Sequence, residues 1–334
     1  CGSYDLFLKH PEPFIKDDKQ MSIVPSDWTD VRLFNTGNND KLNEDVMNAH
    51  KKFVDMIVEL GADGIRADVA TIKPSDFWVE LIKYTREKDK EFMFLAEASD
   101  SWREPPSKYA EFTPYDELLK AGFDGYYGSY FKLKDFKKGS ELISLIHSTK
   151  SNLSKFTDDK AVIGSFTTHD EMSPILINGP KFSNMIIWLN ATLPVNSYFV
   201  DGFDSADSYM YLWANKEAFK TYTDDANYFV HRGKPDIFNF SRQPGGNNTD
   251  LVSSFVLANY AKRQFIQLIN NGNFVPLKTS NPTSFAYAIA YKGQSLVIIG
   301  NLDFHTNIDT DIFIHKLDKN NSLIPITAEN IPVI

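Results

Sequence analysis

The fold is decided by a five-residue stretch, Gly64-Ile65-Arg66-Ala67-Asp68, in which small or apolar residues alternate with charged ones. Such alternation is typical of a short β-strand. Apolar side chains at helical spacing precede it over residues 42–60, and Gly61 follows as a stop signal. We expect Asn39 or Asp40 to cap the first turn of that helix. The pattern is therefore a helix followed by a strand.

The same pattern recurs further along the chain. Strand-like runs that each follow a helical stretch lie at residues 92–96, 122–127, 161–166 and 195–200. Strands alternating with helices predict a parallel sheet, either doubly wound or closed as a (β/α)8 barrel, and five strands are too few to close the barrel. A long helix is predicted at 251–269, and short alternating runs from residue 273 onward predict a small antiparallel β domain.

Composition excludes several classes of function. The formal net charge is −9, so the surface repels nucleic acid and anionic membranes, and neither is an expected partner. The only cysteine is Cys1, so the sequence offers no disulfide framework and favours a reduced, cytoplasmic protein. No apolar run is long enough to span a membrane. A start at Cys-Gly-Ser without Met indicates either a processed protein or part of a longer one, and composition leaves both open.

Acidic residues stand where three of the predicted strands end. Asp68 ends the first strand, with Arg66 on the same face two residues earlier, and Glu97 ends the second. The strand at 161–166 continues through two threonines into His169 and Asp170. Ligands of parallel α/β sheets are bound at the carboxyl ends of the strands, so we expect these side chains to share one rim.

Paired carboxylates at such a rim suit glycoside cleavage with retention, which needs one ionised nucleophile and one protonated acid/base. Arg66 would keep Asp68 ionised, while desolvation and the neighbouring anion would raise the pKa of Glu97. Any single acid after a strand is more often a helix cap than a catalyst. It is the occurrence of three in chain order, each at a strand end, that favours catalysis.

These stretches resemble motifs of glycoside hydrolase family 13, the α-amylase family. Residues 64–70 resemble its nucleophile motif, residues 94–97 its acid/base strand and residues 166–170 its third-acid motif. The resemblance implies Asp68 as nucleophile, Glu97 as acid/base and Asp170 as transition-state stabiliser, with Arg66 and His169 in the subsite of the glucose to be cleaved. Trp102, just after Glu97, is placed to stack on a sugar ring.

The resemblance also implies a domain plan: a partial (β/α)8 TIM barrel holding strands four to eight, with a C-terminal antiparallel β-sandwich domain. Residues 1–40 would be a remnant of the loop domain inserted after barrel strand three, on the likeness of residues 10–14 and 27–31 to that domain. Residues 41–272 would be the C-terminal part of the barrel and residues 273–334 the β-sandwich domain. The first three strands would then lie upstream of Cys1, and we expect the fragment alone to be inactive.

The implied function is that of a retaining α-glucan-active glycosidase or transglycosylase. It would cleave α-1,4-glucosidic bonds of an α-glucan or maltooligosaccharide through a covalent glycosyl-enzyme. The sequence departs from the family at Thr168, where Asn is usual, and at Thr71-Ile72, where amylases carry Lys-His. The Lys73-Pro74 that follows is closer to maltosyl-transferring members, so transfer to a sugar or to phosphate stays open, as does a non-catalytic carbohydrate-binding scaffold.

No cofactor is expected. The resemblance allows a structural calcium ion at residues 35–40, although a solvated turn and helix cap is the favoured interpretation of that stretch. Oligomeric state cannot be derived from the sequence.

Overall fold

The computed structural model describes residues 23–24, 33–104, 111–156, 160–171, 173–200, 202–206, 249–313, 315–317 and 323–325. Most of the segment predicted as a loop-domain remnant, including residues 10–14 and 27–31, lies outside the described residues. The chain divides into two units, each described here by itself. The first holds Cys1–Ser129 and Leu153–Ile163, and the second holds Tyr130–Asn152 and Gly164–Ile334.

The secondary structure alternates strands and helices up to the long helix before the C-terminal strands. The strands and α-helices in chain order are β1 Ile23–Val24, β2 Leu33–Phe34, α1 Glu44–Glu59, β3 Gly64–Ala67, α2 Ser75–Lys88, β4 Met93–Ala96, α3 Tyr115–Ala121, β5 Gly125–Tyr126, α4 Gly139–Leu153, β6 Ala161–Gly164, α5 Pro174–Thr192, β7 Asn196–Ser197, α6 Thr249–Asn271, β8 Asn273–Thr279, β9 Ser284–Tyr291, β10 Gln294–Asn301, β11 Ile312–Phe313, β12 His315–Leu317 and β13 Leu323–Pro325. Two 3₁₀ helices, Ala70–Ile72 and Tyr130–Asp135, follow β3 and β5.

The central feature is a parallel sheet with the strand order β3-β4-β5-β6-β7. Neighbouring strands keep a level register: Ala67 pairs with Ala96, Ala96 with Tyr126, and Tyr126 with Val162. The carboxyl ends of these strands therefore lie at one edge of the sheet. The predicted α/β class, a partial barrel sheet of five strands with an antiparallel C-terminal domain, is confirmed.

Several predicted boundaries shift for local reasons. Asn43, rather than Asn39 or Asp40, caps α1, because its side-chain oxygen accepts the backbone N–H of Val46 at 3.3 Å. The predicted stop at Gly61 is confirmed, since this residue has a φ of +81° directly after the helix. β6 ends at Gly164 and not at residue 166.

Helix α5 is kinked. It begins at Pro174 and is interrupted at Asn178 and Gly179, which have non-helical backbone angles just before Pro180. Proline cannot continue the hydrogen-bond ladder of a preceding helical turn and disfavours helical angles in the residue before it, which explains the break.

Aromatic side chains dominate the core of the first unit. His50, Phe77, Trp78 and Phe123 follow one another in edge-to-face contacts, with centroid distances of 5.0, 5.3 and 4.9 Å. Phe94 of β4 extends the series to Phe123 at 6.1 Å. The phenylalanine and tryptophan side chains of this series are at most 4% exposed, so α1 and α2 are packed against the strand layer.

The second unit contains the antiparallel domain. β8, β9, β10 and β11 form a four-stranded sheet in the order β10-β9-β8-β11. Leu277, Ala286 and Ala288 are buried together in it. Helix α4 lies against this sheet at its first residue, where the Gly139 N–H donates to Pro282 O at 2.9 Å. A Cβ at Gly139 would come within 1.9 Å of Ser284 O, so the close approach requires glycine there.

Candidate active site

The carboxyl ends of β3 and β4 place two acids side by side. Because Ala67 and Ala96 are paired, the next residue of each strand, Asp68 and Glu97, stands at the same level. The Glu97 N–H donates to Ala67 O at 3.0 Å, and its own carbonyl accepts the Ala70 N–H at 3.2 Å. These two bonds hold the backbone of Glu97 against the segment that begins at the end of β3.

Arg66 joins the two carboxylates. One terminal nitrogen, Nη1, donates to Asp68 Oδ1, and the other, Nη2, lies 3.0 Å from Glu97 Oε1. We call these three residues the Arg66 cluster. Burial disfavours the charged guanidinium, but Glu97 and Asp68 outweigh it and raise the pKa of Arg66 above its ordinary value. Arg66 is therefore a fixed cation that orients both acids.

The members of the Arg66 cluster differ in exposure. The side chain of Asp68 is 75% exposed, whereas those of Arg66 and Glu97 are 27% and 15% exposed. Tyr127, just after β5, places its ring 5.6 Å from the guanidinium carbon. Asp68 thus presents its carboxylate to solvent while its partners are held beneath it.

A strained backbone holds the inner carboxylate. Val69 follows Asp68 with φ 39° and ψ 53°, the left-handed region that β-branched residues avoid. In this conformation its N–H donates to Glu97 Oε2 at 2.7 Å. Such strain is retained where surrounding structure enforces it, and it often marks functional sites. The burial expected for Glu97 is present, but a cation and a backbone donor contact its carboxylate as well.

Lys73 adds a second cation to this region. Its ammonium lies 5.8 Å from the ring centroid of Phe77, and desolvation, opposed by the attraction of Asp68, lowers the pKa of Lys73 to about 8. The same charge helps to lower the pKa of His50, after the larger effect of burial. Among the described residues no acid forms an ion pair with Lys73.

His169 and Asp170 lie in the second unit, in a tight turn after β6. The Asp170 N–H donates to Thr168 Oγ1 at 3.3 Å, and the Glu171 N–H donates to Thr168 O at 3.1 Å. His169 Nε2 lies 3.6 Å from Asp170 Oδ2, and both side chains are about half exposed. Thr168 therefore closes this turn with its hydroxyl. The structure brings Arg66, Asp68 and Glu97 together, and the convergence of Asp170 with them stays a prediction.

Trp102 lies beyond a network of hydroxyl groups that follows Glu97. Its N–H donates to Ser99 O at 3.1 Å, and its side chain is partly exposed. Ser99 Oγ is 2.7 Å from Ser129 Oγ, which in turn donates to the carboxylate of buried Asp100. This network orders the loop that carries Trp102, and stacking of that ring on a sugar stays a prediction.

The sequence reasoning assigned no place in the site to three residues of this region, Tyr127, Val69 and Lys73. Tyr127 follows a strand end, so the rule that found Asp68 and Glu97 could also have found it. The strain at Val69 leaves no sequence signal, because valine is common in strands. Lys73 belongs to a motif noted for its likeness alone, and its burial is visible only in the structure.

Within the described part of the chain, no group of three or more His, Cys, Asp or Glu side chains is arranged to hold a metal ion. In the calcium candidate at residues 35–40, Asn35 Oδ1 accepts the Gly37 N–H, and Asn38 Oδ1 accepts those of Asp40 and Lys41. These contacts fit the turn interpretation. No helix in the described ranges has the length and apolarity of a membrane span.

Comparison with known proteins supports the fold. No protein-family model matches the sequence, and no curated protein matches it. Solved structures do match: a maltogenic α-amylase from Thermotoga neapolitana has a TM-score of 0.61 at 17% identity, over 96% of this chain and 68% of that one. An α-amylase from Lactobacillus plantarum has a TM-score of 0.56 at 16% identity, over 87% of this chain and 62% of that one.

A debranching enzyme from Nostoc punctiforme, soaked with acarbose, has a TM-score of 0.58 at 14% identity, over 89% of this chain and 62% of that one. The chain thus spans 62% of the Lactobacillus and Nostoc enzymes. At these identities the likeness concerns the fold, and over most of its length this chain is structurally similar to enzymes of the α-amylase family.

Proposed function

We propose that the protein is a retaining enzyme that acts on α-1,4-glucans. The observation that carries the proposal is the Arg66 cluster: one guanidinium contacts carboxylates at the ends of two adjacent parallel strands. A guanidinium presents its N–H groups in a compact fork, so two carboxylates that each bond one of its terminal nitrogens are close neighbours. Retaining glycosidases need two carboxyl groups about 5 Å apart.

The exposures of the two acids suit different roles. Asp68 is the open carboxylate and is ion-paired, as a nucleophile that must stay ionised requires. Glu97 is the enclosed one, as an acid/base that exchanges its proton only with the substrate requires. In the proposed first step the Asp68 carboxylate bonds to the anomeric carbon, the glycosidic bond breaks, and the proton of Glu97 passes to the leaving oxygen.

In the second step water or an acceptor hydroxyl attacks the glycosyl-enzyme, Glu97 takes the proton of the attacking group, and Asp68 is released as a carboxylate. The proposal requires Arg66 to leave Glu97 while Glu97 carries its proton, and to remain on Asp68. Asp170 and His169 are assigned to the stabilisation of the transition state and to binding of the sugar hydroxyls.

The nature of the acceptor is open between water, a sugar and phosphate. Incubation of the full-length protein with maltooligosaccharides, with and without inorganic phosphate, separates these outcomes by product analysis. Reducing sugar alone indicates hydrolysis, longer oligomers indicate transfer to sugar, and a sugar phosphate indicates transfer to phosphate. Folded protein that gives none of these products would contradict the proposal.

Asp68→Asn separates an enzyme from a carbohydrate-binding scaffold. An enzyme should lose about 10⁴-fold or more in turnover, because no nucleophile remains, while it still binds maltooligosaccharide. A scaffold should bind equally well before and after the change and show no turnover in either form.

A further inference from the structure

The turn that carries His169 and Asp170 is attached to one structural element at both of its ends. That element is the 3₁₀ helix Tyr130–Asp135, in the same unit. At the start of the turn, the ring of Phe166 packs on that of Tyr130 with a centroid distance of 4.8 Å. Both of these residues are at most 4% exposed, so this first anchor belongs to the core.

The second anchor is an ion pair. Lys134 Nζ, four residues after Tyr130, donates to Glu171 Oε2, and the two side chains are 27% and 22% exposed. Burial lowers the pKa of Lys134, which shows that the ammonium is partly withdrawn from water. A charge withdrawn from water is costly without a partner, and Glu171 supplies it.

Between the two anchors, Thr167 is buried at 2% exposure, whereas the next residues face solvent. His169 and Asp170 are about half exposed and pair loosely with each other, at 3.6 Å. Within the described residues, the backbone of this turn is also held by two hydrogen bonds to Thr168. Glu171 directly follows Asp170, so its ion pair with Lys134 restrains the turn at the end that carries the two exposed side chains.

We propose that Lys134 and Glu171 are positioning residues, and that their ion pair fixes the turn carrying His169 and Asp170 in its working geometry. This inference rests on the proposed function, because only that function assigns Asp170 and His169 to transition-state stabilisation and sugar binding. Neither Lys134 nor Glu171 is assigned a contact with the substrate. They act through the backbone of the turn.

The test uses Lys134→Met and Glu171→Gln in the whole protein. Each change should lower kcat on maltooligosaccharide about 10- to 100-fold, since small misplacements of catalytic groups have effects of this size. KM should change by about twofold at most, because the residues that contact the sugar remain. Lys132→Met is the matched control, since Lys132 lies on the same 3₁₀ helix and has no described ion pair with Glu171.

Rescue separates a positioning role from a merely structural one. Lys134→Arg should retain most of the activity, and the charge-swapped double variant K134E/E171K should recover activity relative to either single exchange. Single variants with unchanged kcat would overturn the proposal. The proposal would also be overturned if the loss of kcat equalled the loss of folded protein and the double variant did not restore it.

Backbone amide exchange keeps the test independent of the proposed function. Amides of residues 167–171 should exchange faster in Lys134→Met than in the wild type or in Lys132→Met. If the wild type does not act on glucans, the proposed function fails, while faster exchange would still support the restraint of the turn. Unchanged exchange would overturn the restraint even in an active enzyme.

Discussion

Two arginine–carboxylate clusters lie at opposite ends of β4 in the first unit, and they are built differently. At the amino end, Arg86 Nη2 lies 2.8 Å from both carboxylate oxygens of Asp124, and Arg86 Nη1 donates to Gly122 O at 3.0 Å. Asp124 Oδ2 also accepts the Phe94 N–H at 2.7 Å. We call Arg86 and Asp124 the Arg86 cluster. Its charges are matched one to one, and both side chains are 29% exposed.

In the Arg66 cluster, at the carboxyl end, the positive and negative charges are not equal in number. One guanidinium serves two carboxylates, one of them 75% exposed, beside a residue with strained backbone. Lys73 places a desolvated cation nearby. In parallel α/β folds the amino end of the strands serves stability and the carboxyl end serves binding and chemistry. The difference fits a structural role for the Arg86 cluster and, under the proposed function, a catalytic role for the Arg66 cluster.

The largest effect is expected for Glu97→Gln, which tests the role assigned to the Arg66 cluster. The amide has no acidic proton to transfer, so kcat on maltooligosaccharides should fall about 10²- to 10⁴-fold. An aryl maltoside whose phenolate leaves without protonation should lose much less in its first step. The rate of the first step, release of the leaving group in a pre-steady-state burst, is measured for both substrates with the wild type and the variant. Equal losses on the two substrates would contradict the role of Glu97 as the acid.

Asp124→Asn tests the other cluster. It removes the charge that pairs with Arg86 and weakens the bond to the Phe94 N–H, so the free energy of unfolding should fall by about 2 kcal/mol. The kcat of the remaining folded protein should stay close to that of the wild type. Urea unfolding and steady-state turnover measure the two effects. Asp55→Asn, which weakens a partly exposed pair with Lys88 and a hydrogen bond accepted from the Tyr84 hydroxyl, is the matched control and should cost less.

Much of this architecture is predictable because it rests on local patterns. The alternation at residues 64–68 and the glycine after α1 locate the first helix and strand to within a few residues. The true cap at Asn43 was missed because Asn39 and Asp40 carry the same cap chemistry, and Asn39 instead accepts the Asp76 N–H at 3.2 Å. Cap choice depends on where the chain enters the helix, which the sequence does not specify.

The site was predictable in part for a related reason. Parallel pairing puts successive strand ends at one edge, so Asp68 and Glu97 could be grouped from sequence alone, with Arg66 facing Asp68 by the two-residue strand period. The bond from Arg66 to Glu97 and the bond from Val69 depend on side-chain reach and on an uncommon backbone conformation. The pairing of Lys134 with Glu171 joins residues far apart in the chain, and no local pattern marks it.

Lys73→Met tests the cost of the desolvated Lys73 ammonium near the carboxyl ends of the strands. With a pKa lowered from 10.5 to about 8, the folded state binds fewer protons than the unfolded state between these values, so stability rises with pH across that window. The stability that the folded protein gains when Lys73 is neutral is fully present above about pH 10.5 and is lost as the pH falls through about 8. At pH 7 the Met variant should therefore be the more stable, by on the order of 1 kcal/mol.

The advantage of Lys73→Met should shrink as the pH rises from 8 to 10, because the wild-type ammonium then loses its charge. Urea unfolding at a series of pH values measures it. Lys83→Met on the exposed side of α2 is the control and should show no such dependence. A Met variant that is less stable at pH 7, by an amount independent of pH, would show that the charge of Lys73 is not a cost to folding.

The smallest expected effect concerns the strain at Val69. Left-handed backbone costs a β-branched residue about 1–2 kcal/mol, and glycine removes this cost. Glycine also gives the unfolded chain more freedom, which costs about 0.4–1 kcal/mol, so Val69→Gly should leave the free energy of unfolding nearly unchanged or slightly higher. Val79→Gly, at an exposed position with ordinary helical geometry in α2, should lower it by roughly 0.5–1 kcal/mol. Urea unfolding of both variants gives the difference. If Val69→Gly is the more damaging of the two, the conformation of Val69 is not a strained one held for Glu97, and the contrast between the two ends of the sheet rests on charge alone.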